Sequence, residues 1–332
     1  MTDPEGAASA DRARVVSTGI RHRLLDEVLS EFGPIVMTPD HAPATISAHL
    51  GAAEALILQG AAGASAEVIA AGPALRVIAR SGVGVDSVDV AAATERGIAV
   101  INTPGANAKS VAEAALTYSL AILKNLAHWD AQLKAGNWDS RLSRDTRDIA
   151  GATLGIVGLG NVGKELAALA GALGMRVVAA DPVTTAEDAA AVGATLLPFA
   201  EVLEQADVVS LHSTLTPETR GMMNADTLRL MKPDAGLVNF GRGGLVESLD
   251  VLHRALVDGK LRGVALDAFD PEPPDVDHPI FRHERMLGSP HAPGNTPSAW
   301  DNIFRSFTHD VAAVLSGDPP VHCVNRDVLE RP

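Results

Sequence analysis

The chain has 332 residues, of which 46% are hydrophobic and 20% are charged, and its formal net charge is −14 at pH 7. This length gives room for two domains with cores of their own, and this composition excludes a disordered chain. The acidic balance and the lack of a basic run disfavour nucleic acid as a partner, and an anionic small substrate would need a positive group in its own site.

Short apolar runs alternate with Ala-, Leu- and Glu-rich stretches along the first hundred residues. The runs are short enough for buried strands, and the stretches between them have helical spacing. Such alternation predicts a parallel sheet with helices on both faces. The predicted strands are residues 14–17, 35–37, 55–59, 75–80 and 98–102, and the predicted helices are residues 21–32, 65–71 and 88–96.

A long helical pattern rich in Ala and Leu covers residues 110–126, and a polar loop follows at residues 137–148. A second strand–helix series runs from residue 153 to about residue 289. A last helix is predicted at residues 297–315, where Gly317 and two prolines end it. The two series predict two α/β domains, because the tail is too short to form a third.

A glycine pattern follows the strand predicted at residues 153–157. Gly158, Gly160 and Gly163 form a GxGxxG motif that opens a helix, and the next strand ends in Asp181, with 17 residues between Gly163 and Asp181. This is about the interval of a dinucleotide-binding unit. The glycines would allow a tight turn, close approach of a pyrophosphate and tight helix packing. The pyrophosphate would lie at the helix N-terminus, which also includes Asn161 and Val162.

Asp181 favours NAD over NADP as the cofactor. Its carboxylate would accept hydrogen bonds from the adenosine ribose and would repel a 2′-phosphate. The next four residues, 182–185, include no Arg or Lys that could bind such a phosphate. The alternative for the whole motif is a glycine-rich turn without a ligand.

Three later segments lie where strands are predicted to end, and ligands of open α/β sheets bind beyond those ends. The segments offer Arg242, Glu272 and His291 to a site. Arg242, flanked by glycines, is the strongest of the three on its own. Glu272 lies in an acidic, proline-rich stretch and is also consistent with a solvated loop residue, and His278 and His283 are alternatives to His291.

Further motifs lie in order along nearly the whole chain. They are RSGVGVD at residues 80–86, NTPGAN at 102–107, SVAE at 110–113, LH at 211–212 and LTPETR at 215–220. With these motifs the chain resembles the D-isomer-specific 2-hydroxyacid dehydrogenases, which include 3-phosphoglycerate dehydrogenase and glyoxylate/hydroxypyruvate reductases. The resemblance implies NAD-dependent reduction of a small 2-keto acid to a D-2-hydroxy acid, and the reverse reaction.

The resemblance also implies roles for single residues. Arg242 would hold the substrate carboxylate and carbonyl oxygen, while Glu272 and His291 would form an acid–base pair. Asp267 would contact the nicotinamide carboxamide. Backbone N–H groups would bind the substrate carboxylate at Ser81, Gly82, Val83 and Gly84. The other cofactor-binding residues implied are Ser213, Thr214, Thr219, Phe240, Gly241, His291 and Gly294, and no metal site is expected.

The set of Arg, Glu and His is chemically sufficient for this reaction. Reduction of a ketone by hydride leaves an alkoxide, so the site needs a proton donor at that oxygen. A histidine paired with a carboxylate has a raised pKa and is cationic near neutrality. A guanidinium binds a carboxylate bidentately and offsets charge as it develops.

Some residues depart from the family pattern. Phe240 and Gly241 stand where a small hydroxyl or Ala-type pair is usual, and Thr214 stands where Pro is common. The phosphoglycerate branch typically has an Arg-Ser pair at the end of the third strand of the substrate domain, where the matching stretch of this chain, residues 57–63, has no base and only Arg80 remains. This favours an unphosphorylated substrate such as glyoxylate or hydroxypyruvate.

Three alternatives for the function remain. The first is an NAD-sensing interaction protein that keeps the fold, as the transcriptional corepressors related to this family do. The intact set of Arg242, Glu272 and His291 argues against it. The second is D-3-phosphoglycerate dehydrogenase. The third is another enzyme on the same scaffold, such as a formate or phosphite dehydrogenase, but formate enzymes have Gln where this chain has Glu272.

The resemblance predicts two Rossmann/flavodoxin-like parallel-sheet domains of the α/β class, with the cofactor domain inserted into the substrate domain. The substrate domain is predicted at residues 12–109 and 298–332, and the NAD-binding domain at residues 110–297, with the two crossings as a hinge. A homodimer is also implied.

A single cysteine, the lack of a signal pattern and the lack of an apolar run of about 20 residues predict a cytoplasmic protein.

Overall fold

A computed structural model describes residues 14–143 and 145–330. The chain forms two compact units. Of the described residues, the first takes in 14–107 and 296–330, and the second takes in 108–143 and 145–295. The predicted start of the substrate domain, at residue 12, lies outside the described residues.

The first unit is built on a five-stranded parallel sheet with the strand order β2-β1-β3-β4-β5. This is the flavodoxin-like order of a doubly wound fold. The inner strands are buried along their length except for Arg80 at the end of Val77–Arg80, as expected for a parallel sheet that is covered on both faces. The strands are β1 (Val15–Ser17), β2 (Ile35–Met37), β3 (Ala55–Leu58), β4 (Val77–Arg80) and β5 (Ala99–Ile101).

Helices cover both faces of this sheet. On one face lies the tail helix, Pro297–Ser316, which buries Phe304 and Phe307 completely. The guanidinium of Arg76 donates to the last carbonyls of this helix, at 2.6 Å and 2.9 Å, and so stabilises its negative end. The other helices of the unit are α1 (Arg23–Leu29), α2 (Pro43–His49), α3 (Ala66–Ala71) and α4 (Val90–Glu95).

The second unit is built on a seven-stranded parallel sheet with the order β12-β11-β10-β9-β6-β7-β8. The order reverses between β6 and β9, which is where ligands of doubly wound sheets bind. The strands are β6 (Thr153–Val157), β7 (Arg176–Ala180), β8 (Ala194–Leu196), β9 (Val208–Leu211), β10 (Ala235–Asn239), β11 (Leu261–Leu266) and β12 (Met286–Gly288).

Two apolar clusters, one on each face, hold the helices of the second unit to its sheet. Among the described residues, none of the helices is both long enough and apolar enough to cross a membrane. The helices are α5 (Ala108–Lys124), α6 (Leu126–Lys134), α7 (Asn161–Ala172), α8 (Ala186–Ala191), α9 (Phe199–Gln205), α10 (Ala225–Leu230) and α11 (Leu249–Val257).

The observed elements differ from the predicted ones at a few ends. The long helix begins two residues earlier than predicted, at Ala108. It also ends two residues earlier, because Asn125 has a left-handed conformation (φ +52°) that separates α5 from α6. The strand predicted at residues 75–80 begins at Val77, because Leu75 belongs to a turn. The division between the units falls at 107/108 and 295/296 instead of 109/110 and 297/298, since α5 starts at Ala108 and Thr296 caps the tail helix.

The chain after the tail helix returns to the outer side of β5. The Asn325 side chain is buried there, and its Oδ1 accepts from the Val100 N–H at 2.8 Å. Its Nδ2 donates to Thr94 Oγ1 and to the Ile98 carbonyl, both at 2.9 Å. One side chain therefore continues the hydrogen bonding of β5 beyond the last strand of the sheet.

Candidate active site

The turn between β6 and α7 is the first part of the candidate site. Gly158 has φ +95°, and a side chain there would lie 2.6 Å from the Ser213 nitrogen. Gly163 packs against the Gly158 carbonyl so closely that a Cβ would overlap with it. An added Cβ at Gly160 would meet only open space. Two of the three glycines are therefore required by packing, and the third leaves the turn open.

The N-terminus of α7 faces this opening without a capping side chain. Gly160 is the N-cap residue and offers no side-chain acceptor to the first N–H groups of the helix, which include those of Asn161 and Val162. Such N–H groups and the positive end of the helix dipole are a ready anion site. The open turn and the uncapped helix fit the pyrophosphate of a dinucleotide.

Asp181 follows β7 and holds the same turn. Its Oδ2 accepts from the Leu159 N–H at 2.8 Å, and its Oδ1 accepts from the N–H groups of Val183 and Thr184. Burial works to raise the pKa of Asp181, but these N–H groups outweigh it and the pKa is lowered. The carboxylate is therefore ionised at neutral pH, and it braces the glycine turn.

His212 lies directly after β9, beside Gly158, and is partly buried, with its Nδ1 shielded from solvent. Its Nε2 lies 2.8 Å from Ser210 Oγ, while its Nδ1 has no hydrogen-bond partner among the described residues. Burial lowers the pKa of His212 to about 4. The imidazole is therefore neutral in the folded protein, and a charge on it would be costly.

This burial predicts a pH-dependent stability. Because the unfolded histidine titrates near its usual pKa of 6.5, the unfolded state binds a proton between about pH 6.5 and 4 that the folded state refuses. We expect the free energy of unfolding to fall across this range by up to about 3 kcal/mol. Urea titrations at pH 7, 5.5 and 4 measure it.

The variant His212→Gln removes the titrating group, and the exposed His309→Gln is the matched control. We expect the acid-induced loss to shrink in His212→Gln and to remain in His309→Gln. Equal losses in all three proteins would contradict the assignment.

The loops after β9 and β10 carry the other predicted cofactor residues. The Thr219 hydroxyl donates to the Thr214 carbonyl at 2.8 Å and so closes its own turn. An added Cβ on Gly241 would lie 3.2 Å from the Ser213 carbonyl, so the two loops are packed together. The Phe240 ring is buried against Tyr118 of α5, at 5.2 Å between centroids. The large side chain before the arginine is thus accommodated in the core.

The loop after β10 fixes Arg242. The buried Asn239 side chain accepts from the Gly241 N–H at 3.2 Å and donates to the Arg242 carbonyl at 2.9 Å. Gly243 packs so closely on the Phe269 carbonyl that any side chain would overlap with it. The Arg242 loop is therefore pressed against the loop after β11, which carries Glu272.

Glu272 and His291 form a close pair. His291 Nδ1 lies 3.1 Å from Glu272 Oε1 and 3.0 Å from Oε2, and the side chains are 53% and 41% exposed. Glu272 Oε1 also accepts from the Phe269 N–H at 3.0 Å, which orients the carboxylate. Because Nδ1 makes the contacts to Glu272, Nε2 lies on the opposite side of the imidazole, where a ligand can reach it.

The two rival histidines lie elsewhere in the second unit. His278 Nε2 lies 3.1 Å from Asp250 Oδ1, and the rings of His278 and His283 both approach His253 of α11. Within residues 14–143 and 145–330, no group of side chains has an arrangement that could hold a metal ion. Of the three candidate histidines, His291 is the one beside Glu272.

Asp267, at the end of β11, supports the backbone around His291. Its side chain is 5% exposed, and Oδ1 accepts from Ser289 Oγ at 2.8 Å and from the Ala292 N–H at 3.1 Å. The Asp267 carbonyl accepts the His291 N–H, and His291 has a left-handed conformation with φ +53°. Burial raises the pKa of Asp267. The turn continues to the buried Gly294.

In the first unit, the predicted carboxylate-binding loop follows β4. The Thr103 N–H donates to the Gly82 carbonyl at 3.0 Å, and Asn102 Nδ2 donates to the Val83 carbonyl at 2.8 Å. The Ser81 N–H donates to the Leu58 carbonyl. Among the described residues, the N–H groups of Val83 and Gly84 have no acceptor. The loop therefore presents two neighbouring donors that a ligand could use.

Sequence reasoning missed two residues that the structure brings into the site. Arg220 belongs to the LTPETR motif, for which no role is predicted, and Asp270 belongs to the acidic stretch around Glu272. Arg220 Nη1 lies 3.0 Å from Asp270 Oδ2, although the two are 50 residues apart. The spacing of residues carries no signal for such a pair.

Comparisons with known proteins agree with this architecture. The model of the D-isomer specific 2-hydroxyacid dehydrogenase NAD binding domain matches residues 116–293. The D-3-phosphoglycerate dehydrogenase of Mycobacterium leprae is 40% identical over 275 residues, which are 83% of this chain and 52% of that protein. The chain spans about half the length of such curated relatives.

Solved structures match over almost their whole length. The TT0316 protein of Thermus thermophilus is 33% identical with a TM-score of 0.85, covering 94% of this chain and 99% of that one. D-lactate dehydrogenase from Aquifex aeolicus, complexed with NAD and lactic acid, is 26% identical with a TM-score of 0.83, covering 94% and 99%. Both units of the chain are thus present in these structures.

Proposed function

Since the chain belongs to the D-isomer specific 2-hydroxyacid dehydrogenases, we propose that it reduces a small 2-keto acid to the D-2-hydroxy acid with NADH and catalyses the reverse reaction with NAD. The observation that carries the proposal is the Glu272–His291 pair, on a loop pressed against the Arg242 loop. A binding protein without turnover has no need of an oriented acid–base pair.

The residues around the glycine turn fit the cofactor. The N–H groups at the start of α7 would hold the pyrophosphate, and Asp181 would accept from the adenosine ribose. Asp267 and the loops at Ser213, Thr214, Thr219, Phe240, Gly241 and Gly294 are assigned to the rest of the cofactor. Bound NADH supplies the hydride for reduction, and NAD accepts it in oxidation.

The chain's own residues supply binding and proton transfer. In the second unit we assign the substrate carboxylate to Arg242, whose guanidinium also offsets the charge that develops on the carbonyl oxygen. In the first unit the N–H groups of Val83 and Gly84 are the donors of the 81–84 loop that remain for a carboxylate. His291 Nε2 donates a proton to that oxygen in reduction and removes it in oxidation. Glu272 holds the imidazole by Nδ1 and stabilises its cationic form.

A panel of 2-keto acids, followed by NADH absorbance, tests this function. We expect turnover with at least one small 2-keto acid and formation of the D-isomer of the product. Binding of NADH without turnover of any acid would instead support the NAD-sensing alternative.

A second candidate, oxidation of D-3-phosphoglycerate, is favoured by the names of curated relatives. The residues at the strand ends of the first unit argue against a phosphorylated substrate. The Gln59 side chain is 2% exposed and is bonded to Ser17 and Ile20, so it is turned away from solvent. Arg80 donates to the Gly60 carbonyl at 2.7 Å. A cavity of about 520 Å³ nearby is lined by two carboxylates, Asp86 and Asp89, and by one base, His41, so its lining has no excess of positive charge for a phosphate.

We therefore expect an unphosphorylated substrate to be preferred. The measurement is kcat/KM for glyoxylate and hydroxypyruvate against that for phosphohydroxypyruvate at equal pH and salt. A higher value for the phosphorylated acid would contradict this preference and support the second candidate.

Cofactor preference rests on Asp181. We expect the wild type to use NADH far better than NADPH, and Asp181→Ala to narrow the ratio of the two kcat/KM values. Because Asp181 also holds the glycine turn through the Leu159 N–H, and its own turn through the N–H groups of Val183 and Thr184, alanine will weaken NADH binding as well. Asp181→Asn is the control that keeps one carbonyl acceptor without the charge. A wild type that uses both cofactors equally would contradict the assignment.

We also propose that the partner of the chain is a second copy. The segment 126–142 exposes Leu126, Leu133, Trp138 and Leu142, which are 56–73% exposed. Large apolar side chains grouped in this way mark interaction surfaces. The charged side chains of this segment pair within the chain, Lys134 with Asp130 and Arg141 with Asp139, so the segment has no net charge that would repel a second copy related by a two-fold axis.

Light scattering coupled to gel filtration tests this partner. We expect a dimer for the wild type and monomers for Leu133→Asp. The matched control is Val257→Asp on α11, because Val257 is exposed to a similar extent, 61% against 63%. A monomeric wild type would contradict the proposal.

A further inference from the structure

Arg220 lies at the junction of the two loops that carry the proposed acid–base and carboxylate-binding groups of the second unit. It ends the turn that follows β9 and directly precedes Gly221. The function proposed above gives it no role. The residue that follows it, Gly221, is hydrogen-bonded to the Arg242 loop, and its own guanidinium is hydrogen-bonded to the loop that carries Glu272.

On one side Arg220 meets the Arg242 loop. The Gly221 N–H donates to the Gly244 carbonyl at 2.8 Å, and the following Met223 pairs with Val246 as a short parallel bridge. A Cβ on Gly244 would lie 3.0 Å from Arg220 Nη1, so the guanidinium rests directly on the backbone of this loop. The Arg242 loop therefore has Arg220 as its outer neighbour.

On the other side Arg220 meets the loop that carries Glu272. Its Nη1 donates to Asp270 Oδ2 at 3.0 Å. Asp270 lies between Phe269, whose N–H orients the Glu272 carboxylate, and Glu272 itself. The ion pair thus holds the stretch of backbone that fixes the direction of the carboxylate.

The pair is not explained by stability alone. Its side chains are 60% and 52% exposed, and ion pairs so exposed contribute little to folding. A cavity of about 240 Å³ lies beside it, lined by Arg220, Gly243, Gly244, Phe269 and Asp270 among others. The Glu272 loop is therefore held on this side by the backbone contact of Gly243 with Phe269 and, across the cavity, by the Arg220–Asp270 ion pair.

We propose that Arg220 is a positioning residue, which holds Glu272 against His291 through Asp270 and keeps the Arg242 loop in register with them. The inference rests on the proposed dehydrogenase function. In enzymes a misplacement of about 1 Å can cost on the order of 10²-fold in rate, so a small movement of the Glu272 loop is enough to be measured.

The test compares Arg220→Gln, Asp270→Asn and the double variant with the wild type. We expect kcat for keto-acid reduction to fall about tenfold in each, with KM for NADH unchanged. The alkaline limb of the kcat/KM profile should move to lower pH, because a displaced carboxylate stabilises the imidazolium less. The double variant should be no worse than either single one, since both remove the same contact. Arg220→Lys should retain most of the activity.

Arg229→Gln is the matched control, because Arg229 forms an exposed pair with Asp226 in the same unit, away from these loops. It should leave kcat and the pH profile unchanged. Wild-type kcat and pH profile in Arg220→Gln would overturn the proposal, and so would additive losses in the double variant.

A readout without turnover separates this inference from the proposed function. The imidazole of His291 can be titrated by NMR in the wild type and in Arg220→Gln. A titration curve that moves to lower pH supports the positioning role even if no substrate is turned over. An unchanged curve overturns it even in an active dehydrogenase.

Discussion

Replacing His291 by alanine is expected to lower kcat for keto-acid reduction by about 10²–10⁴-fold, the usual effect of removing a positioned acid or base. NADH binding should change little, because the imidazole faces the reacting oxygen in the proposed mechanism. Stopped-flow turnover and fluorescence titration with NADH measure the two quantities separately. A loss confined to KM would mean that His291 binds the substrate and does not transfer the proton.

The pH dependence of kcat/KM in the wild type shows whether the imidazole gives or takes the proton in each direction of the reaction. Reduction needs the protonated imidazole, so its rate should fall as pH rises and the proton is lost. Oxidation of the hydroxy acid needs the neutral imidazole as a base, so its rate should rise over the same range. Profiles of kcat/KM that run in the same direction for both reactions would contradict the assignment.

Glu272→Gln is the sharper companion to this experiment. The amide keeps the size of the side chain and can still accept one hydrogen bond, but it no longer stabilises the imidazolium by charge. The profile for reduction should therefore move to lower pH while the fold remains intact. An unchanged profile would show that Glu272 does not tune the histidine.

Replacing Arg242 by glutamine is expected to lower kcat/KM for the keto acid by about 10²–10³-fold, the loss usual for a donor that meets developing charge in a water-excluded site. The variant removes both the positive charge and the forked donor geometry. Arg242→Lys separates these, since it keeps the charge without the fork. We expect lysine to recover only part of the rate.

The same variants should leave the glycine turn and its ligand untouched, because Arg242 lies in a different loop of the second unit. NADH affinity is the internal control. A variant with wild-type kcat/KM for every keto acid would exclude Arg242 from substrate binding.

The strands were the most predictable part of the fold. β2 and β6 match their predicted bounds, because a buried parallel strand is a continuous apolar run with polar or glycine residues at its ends. Leu75 was wrongly placed in β4, since an apolar side chain can pack in the core without its backbone pairing. The break at Asn125 was also missed, because a single left-handed residue leaves the helical spacing unchanged on either side.

The candidate site was predictable only in part. The glycine turn and Asp181 are local in sequence, and their spacing alone indicates a dinucleotide. Glu272 has His278 and His283 closer in sequence than His291, and only the folding of the loops after β11 and β12 decides between them. The pair of Arg220 and Asp270 was beyond prediction for the same reason, since their contact is purely tertiary.

The contact of Asn325 with β5 has a consequence for the behaviour of the protein in a crowded solution. An outermost strand normally leaves a row of free N–H and C=O groups that can pair with another molecule and begin aggregation. Here the Val100 N–H is taken by the Asn325 side chain and the Val100 carbonyl by the Val324 N–H. A chain without this cover would leave the edge of β5 open to pairing with another molecule, so the tail also protects the edge of the sheet.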